Sequence, residues 1–219
     1  MHMTGNAATK AGLPARPSRC RGDVGAALAE TALVAPVFVV IIFGILEFGG
    51  FMRDYLTLAN GTQAGARSAS IAAESLDADY QILTAIQKET GAMPRSQIQT
   101  IVVWHASGAA DSVPATCKAG TAVLGTAPSY TGACNVYTSS GTPWWSLTAN
   151  DLKCAGTDLN RFWCPSVRKY AATATDGHGP PDYVGIFIQI KHPWITGLFG
   201  SSIVMTRSTI IKIEPQSRT

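Results

Sequence analysis

Glu30 sits where a carboxylate needs a reason. The run Gly25-Ala-Ala-Leu-Ala-Glu30 leads without a break into an apolar stretch from Thr31 to Leu46. Insertion scales put the cost of an acid at mid-membrane at roughly 2.5–3.5 kcal/mol, and less near the edge. The chemistry open to this residue is ionic. A cation brought to the same boundary would offset the desolvation of both groups, and the best-attested use of such a pair is to fix register between helices. The bland alternative is that the side chain snorkels to the interface and does nothing more.

Other residue types that could do chemistry are scattered. Outside the first 25 residues the histidines are His105, His178 and His192, each without His-x-His or His-Glu-x-x-His spacing. Asp176-Gly-His178-Gly reads as a turn. No Gly-x-Ser-x-Gly elbow appears, and the phosphate-loop and dinucleotide glycine patterns are missing. A catalytic site needs a nucleophile or metal brought together with a base, and no spacing here supplies one. The expectation is a chain that is not an enzyme, with no catalytic residue, cofactor or metal. Arg95 and Arg168 read as solvated surface charge.

Cysteines point to an oxidising compartment. Cys20 lies in a basic leader, whereas Cys117, Cys134, Cys154 and Cys164 cluster far downstream. An even number in a loop-rich exported region reads as two disulfides. Three pairings are open, and the shorter loops favour Cys117–Cys134 with Cys154–Cys164. Zinc is the competing reading, against which stands the absence of a Cys-x-x-Cys knuckle.

The element that must position Glu30 is a helix. From Thr31 to Met52 the only ionisable side chain is Glu47. At about 1.5 Å per residue the span covers roughly 33 Å, enough for a hydrocarbon core of about 30 Å. Pro36 is tolerable in a membrane helix, and Gly44, Gly49 and Gly50 give one side a low profile suited to close packing. Lys10, Arg16, Arg19 and Arg21 precede the segment and only Arg53 closely follows it. The positive-inside bias therefore keeps the amino terminus cytoplasmic and most of the chain outside, as a single-pass protein of the cell membrane. A cleaved secretory signal is the alternative, but no Ala-x-Ala site follows the apolar core.

Bulk composition agrees with export. Charged residues make up 14% of the chain, against roughly 25% in ordinary soluble domains. The net charge is +3, with much of the excess in the leader, so no basic stripe for nucleic acid remains on the folded part.

Beyond Met52, Tyr55, Leu56, Ala59, Ala66, Ala69 and Ala73 recur at helical spacing, so the helix is expected to continue outward as a stalk. Gly61 and Gly65 weaken it. Asp77 or Asp79 caps a second helix bearing Tyr80, Leu83 and Ile86, which Gly91 and Pro94 end. Three strands follow: Ile98 to Trp104, the alternating Tyr183 to Lys191, and Ile203 to Ile213. The expected class is α+β, a small antiparallel sheet packed on the outer half of a long helix. Residues 105–182 read as a disulfide-stapled insertion, because a structureless loop of that length is improbable in a compact domain. Its Trp144, Trp145, Phe162 and Trp163 read as a miniature core in preference to a binding surface. The resulting division is a leader over 1–25, a transmembrane helix over 26–52, helices and first strand over 53–104, the insertion over 105–182 and terminal strands over 183–219.

The segment from Arg21 to Pro36, followed by Gly44-Ile-Leu-Glu-Phe-Gly49, resembles the TadE-like proteins, minor pilins or pseudopilins of tight adherence pilus systems. Shared features are a glycine before a small-residue run, a carboxylate, a proline one turn later and a Gly-x-x-Glu near the helix end. Thr31 stands where the family more often has an aromatic residue. The resemblance is specific over about 21–73 and looser over 183–215. It implies cleavage by a prepilin peptidase after Gly25, leaving Ala26 as the new terminus and Glu30 as fifth residue, with Gly22 a poorer alternative site. It also implies other pilin or pseudopilin subunits, the pilus assembly machinery and membrane lipid as partners. An uncleaved membrane-anchored binding module or adhesin is the alternative reading, and an exported enzyme with an unrecognised site the third.

Overall fold

The computed structural model describes residues 21–72, 75–120, 134–156, 158–170, 179–197 and 199–215. Lys10, Arg16, Arg19, Cys20, Ala73 and the Asp176–His178 turn lie outside the described residues, as does the side chain of Arg21. The chain divides into two units, residues 1–45 and 46–219.

In the first unit the described backbone is all α1, which spans Arg21–Ala72 and includes Pro36. From Gly25 to Phe43 every residue is exposed. Leu33, Val37, Phe38, Ile42 and Ile45 are more than half bare.

In the second unit the outer part of α1 becomes a core element. Its buried positions are Glu47, Asp54, Leu58, Gly61, Thr62, Gly65, Ala66, Ala69, Ser70 and Ala72, a stripe at three- and four-residue spacing. This differs from the expected stripe: Leu56 is 60% exposed, whereas Leu58 is fully buried. The glycines explain the shift. A Cβ on Gly65 would lie 2.9 Å from Ile86 and 3.3 Å from Ile186, and one on Gly61 would lie 2.8 Å from Thr90. Gly61 and Gly65 are thus the closest approach of α1 to its neighbours, and not simply weak points in a stalk.

The helix α2 (Ala78–Glu89) packs there through Ile82, Leu83 and Ile86. Asp77 occupies its N-cap but bonds no helix amide with its side chain. The carboxylate instead accepts from Ser75 Oγ and from Gln81 Nε2, and these bonds hold its pKa below the usual carboxylate value.

The sheet has four antiparallel strands in the order β2-β1-β3-β4: β1 Ile98–Ala106, β2 Cys134–Thr138, β3 Tyr183–Pro193 and β4 Ser202–Lys212. Sequence reading expected three. The extra one, β2, comes from the insertion and pairs with the outer side of β1, from Thr100↔Thr138 to Trp104↔Cys134. Ile186 and Ile188 face the α1 glycines, together with their cross-strand partners Val103 and Ile101. Phe187 points the other way, under Lys118 of α3 (Ala115–Ala119). The helices α1 and α2 therefore cover one face of the sheet, together with the part of the insertion that carries Asn160 and Trp163 beside β2, and α3 lies on the other face.

Candidate functional site

The residues singled out for processing and assembly stay together on bare helix. Gly25, Ala26 and Glu30 are all exposed on α1, and Glu30 has no ion-pair partner among the described residues. Thr31, the position that departs from the family pattern, donates its hydroxyl to the Ala27 carbonyl at 2.8 Å. That bond satisfies a polar group at the start of the apolar run. Gly25 lies in the first helical turns, where several backbone groups lack intrahelical partners and opening is easiest.

Glu47 is different. Although it belongs to the apolar run, it is 1% exposed. Its carboxylate accepts the backbone N–H of Ile195 at 3.0 Å and that of Thr196 at 2.5 Å, and the Thr196 hydroxyl at 2.7 Å. A buried acid that takes three donors no longer lacks compensation. Glu47 therefore pins the β3–β4 connection to α1. Glu47→Ala is expected to free that connection, with faster hydrogen exchange at the Ile195 and Thr196 amides and little change at Ile186 or Ile188.

About two turns further out, Asp54 Oδ2 meets His192 Nδ1 at 2.7 Å, both side chains almost wholly buried. His192 stacks edge-on against Phe51 and Trp194 at 6.1 and 5.0 Å. His105 lies 3.3 Å from Asp182 and stacks on Trp163. These two histidines do not stand alone, as spacing suggested. Each is held by a carboxylate from a distant part of the chain. No group of three or more potential metal ligands occurs among the described residues.

The largest correction concerns Arg168. It is not solvated surface charge: it is 1% exposed, and its Nη2 lies 2.6 Å from Asp79 Oδ1. Asp79 Oδ2 accepts from Asn135 Nδ2 at 2.8 Å and from the Tyr137 hydroxyl at 2.6 Å. Tyr137 also contacts Asn160, and Asn135 accepts the Trp163 N–H at 3.1 Å. The Arg168 guanidinium lies 4.3 Å from the centroid of the Trp163 ring. This network ties α2, β2 and the insertion together. It is sealed from solvent, so its role is structural.

Disulfides Cys117–Cys134 and Cys154–Cys164 close loops of 17 and 10 residues. The first joins α3 to β2, and the second brackets the turn that presents Asn160. Trp144 and Trp163 are buried, with Trp145 and Phe162 packed against the same core. The aromatic cluster is therefore part of the main core and not a separate miniature core of the insertion.

Sequence reading missed the partners of Glu47, Asp54 and Asp79. The one available signal was Glu47 itself, an acid alone in an apolar run. No curated protein and no solved structure matches the chain. Residues 25–67, from the glycine ahead of the small-residue run to the arginine on the outer part of α1, match the family described as TadE-like protein, a pilus-associated family.

Proposed function

We propose that this chain is a minor pilin or pseudopilin that assists assembly of a bacterial tight adherence pilus through helix packing in the membrane. The observation that supports it best is the bare apolar half of α1, which lies within the matched segment. A helix this long and apolar, with 6% of its most hydrophobic window buried, needs lipid or other helices around it. The amino terminus is cytoplasmic and the second unit lies outside, in keeping with the flanking basic residues.

On this reading a prepilin peptidase cuts after Gly25, and the new α-ammonium of Ala26 pairs with a Glu30 carboxylate, in the same subunit or a neighbour. Burying the two charges together makes helix register depend on their meeting. Mass spectrometry of protein extracted from membranes of cells with a working peptidase tests the first step. A mature chain beginning at Ala26 is expected, and an intact leader overturns the processing. Glu30→Ala is expected to insert normally yet lose most surface piliation. Unchanged piliation in that variant counts against the register mechanism.

A membrane-anchored binding module is the second reading, favoured by one feature. Beside α2, Tyr80, Gln87, Lys88, Arg95 and Trp145 line an open cleft that combines two cations with an aromatic wall. Retention of the leader together with ligand protection of Trp145 would favour this reading.

A further inference from the structure

Strand β3 runs back along α1 toward its apolar end. Its contacts step down the helix in order. Ile186 meets Gly65 and Ile188 meets Gly61; His192 then meets Asp54 and Gly50, and Ile195 and Thr196 meet Glu47. From Gly65 to Glu47 is about 27 Å of helix at 1.5 Å per residue. From Ile186 to Ile195 is about 30 Å of strand at 3.3 Å per residue. The two lengths agree, so the β3–β4 connection reaches the level of Glu47. That level is about 9 Å below Arg53, the first charged residue beyond the apolar run.

The connection is built for that depth. From Pro193 to Thr206 the sequence has no ionisable residue. At its tip Ile195 is 81% and Phe199 61% exposed, and Val204 at the start of β4 is 55% exposed. Trp194 stacks between Phe51 and Phe199, at 6.0 and 5.4 Å, and Phe51 stacks on Phe48. Aromatic rings of this kind gather at the membrane–water boundary. Four backbone donors among the described residues of the tip are also satisfied from within. Ile195 and Thr196 give theirs to Glu47, Trp194 to the Ser201 carbonyl, and Gly200 to the Gly197 carbonyl. Internal pairing of this kind is required where water is scarce.

We propose that the β3–β4 tip is a second membrane contact. Ile195 and Phe199 insert beside α1 into the lipid leaflet facing the folded unit, and Glu47 is the latch that sets their depth. The occupant is phospholipid at the headgroup–acyl boundary, where interfacial elements sit about 5–10 Å deep. The tip and α1 then hold the folded unit to the bilayer at two points, which restricts its tilt. The proposal rests on the reading that α1 spans the bilayer.

The test uses the full chain with Cys20→Ser, disulfides intact, reconstituted in phosphatidylcholine–phosphatidylglycerol liposomes. Single cysteines at Ile195, Phe199, Ile41 and Ser140 carry an environment-sensitive fluorophore. Expected at Ile195→Cys and Phe199→Cys is blue-shifted emission, quenched several-fold more by shallow nitroxide-labelled lipid than at Ser140→Cys and shielded from iodide. Ile41→Cys reports the helix, with quenching by deep nitroxide lipid. Iodide quenching at 195 and 199 with lipid quenching at 41 overturns the tip contact and leaves the anchor standing. Iodide quenching at 41 removes the anchor and the proposal with it. Shielding at 195 and 199 from both quenchers, lost on dilution of protein in lipid, assigns the tip to a second copy and overturns the lipid contact. Glu47→Ala should lower nitroxide quenching at 195 and 199 without changing it at 41; no change there removes the latch.

Discussion

Arg168→Met is expected to destabilise the folded unit by about 3–5 kcal/mol, the usual cost of stripping one partner from a buried ion pair. Asp79 would keep its bonds from Asn135 and Tyr137 but would lose the one charge that balances it. Trp163 would lose the guanidinium over its ring as well. Denaturant unfolding of the full chain in detergent, followed by near-ultraviolet circular dichroism, measures the loss. The double variant Asp79→Asn with Arg168→Met should recover part of it. Asparagine keeps an acceptor for its neighbours and leaves no charge unpaired. A single variant as stable as the parent would mean that Arg168 is solvated after all.

Gly185→Ala carries the second large effect. A Cβ there would overlap three ring atoms of Trp104, and that indole is fully buried between strands. A rigid ring in a packed core cannot turn aside as a flexible side chain can, so the overlap must be relieved by moving β1 against β3. Overpacking of this kind costs about 1–3 kcal/mol, and occasionally more. Unfolding of Gly185→Ala and of Gly185→Ala with Trp104→Leu checks it. The pair should be less destabilised than the sum of the two single changes, because each substitution relieves the other.

Why some of this was legible and some not is a matter of range. The apolar run, the outward continuation of α1 and the alternation of β3 are periodic signals contained within a few turns or a single strand. They are legible because each signal is local and needs no distant partner, even though the apolar run is bare and β3 is buried on both faces from Val184 to Ile188. Strand β2 was invisible: Cys134-Asn-Val-Tyr-Thr138 is short and every position is buried, so no alternation shows. On α1 the stripe was legible in part. Ala66 and Ala69 lie on the buried stripe as expected, but Leu56 does not, and the glycines at 61 and 65 admit Ile86 and Ile186 to the contact face. Arg168 lies 89 positions from Asp79, and Glu47 lies 148 from Ile195. No spacing rule reaches so far, which is why a structural arginine read as surface charge.

The order of the strands also governs when the second unit can take shape. β1 and β3 are neighbours at the centre of the sheet, yet the whole insertion separates them along the chain. On the proposed reading that the second unit is exported, β1 can pair with β2 but not with β3 while the chain is still crossing. Ile186 and Ile188, which close over Gly65 and Gly61, follow only after the whole insertion. A nascent chain stopped short of Tyr183 would hold an anchored rod with its glycine seam open, a species for chaperones or proteases to find. On that reading completion of this fold is coupled to completion of export, and truncations ahead of Tyr183 should be cleared by proteolysis rather than accumulate.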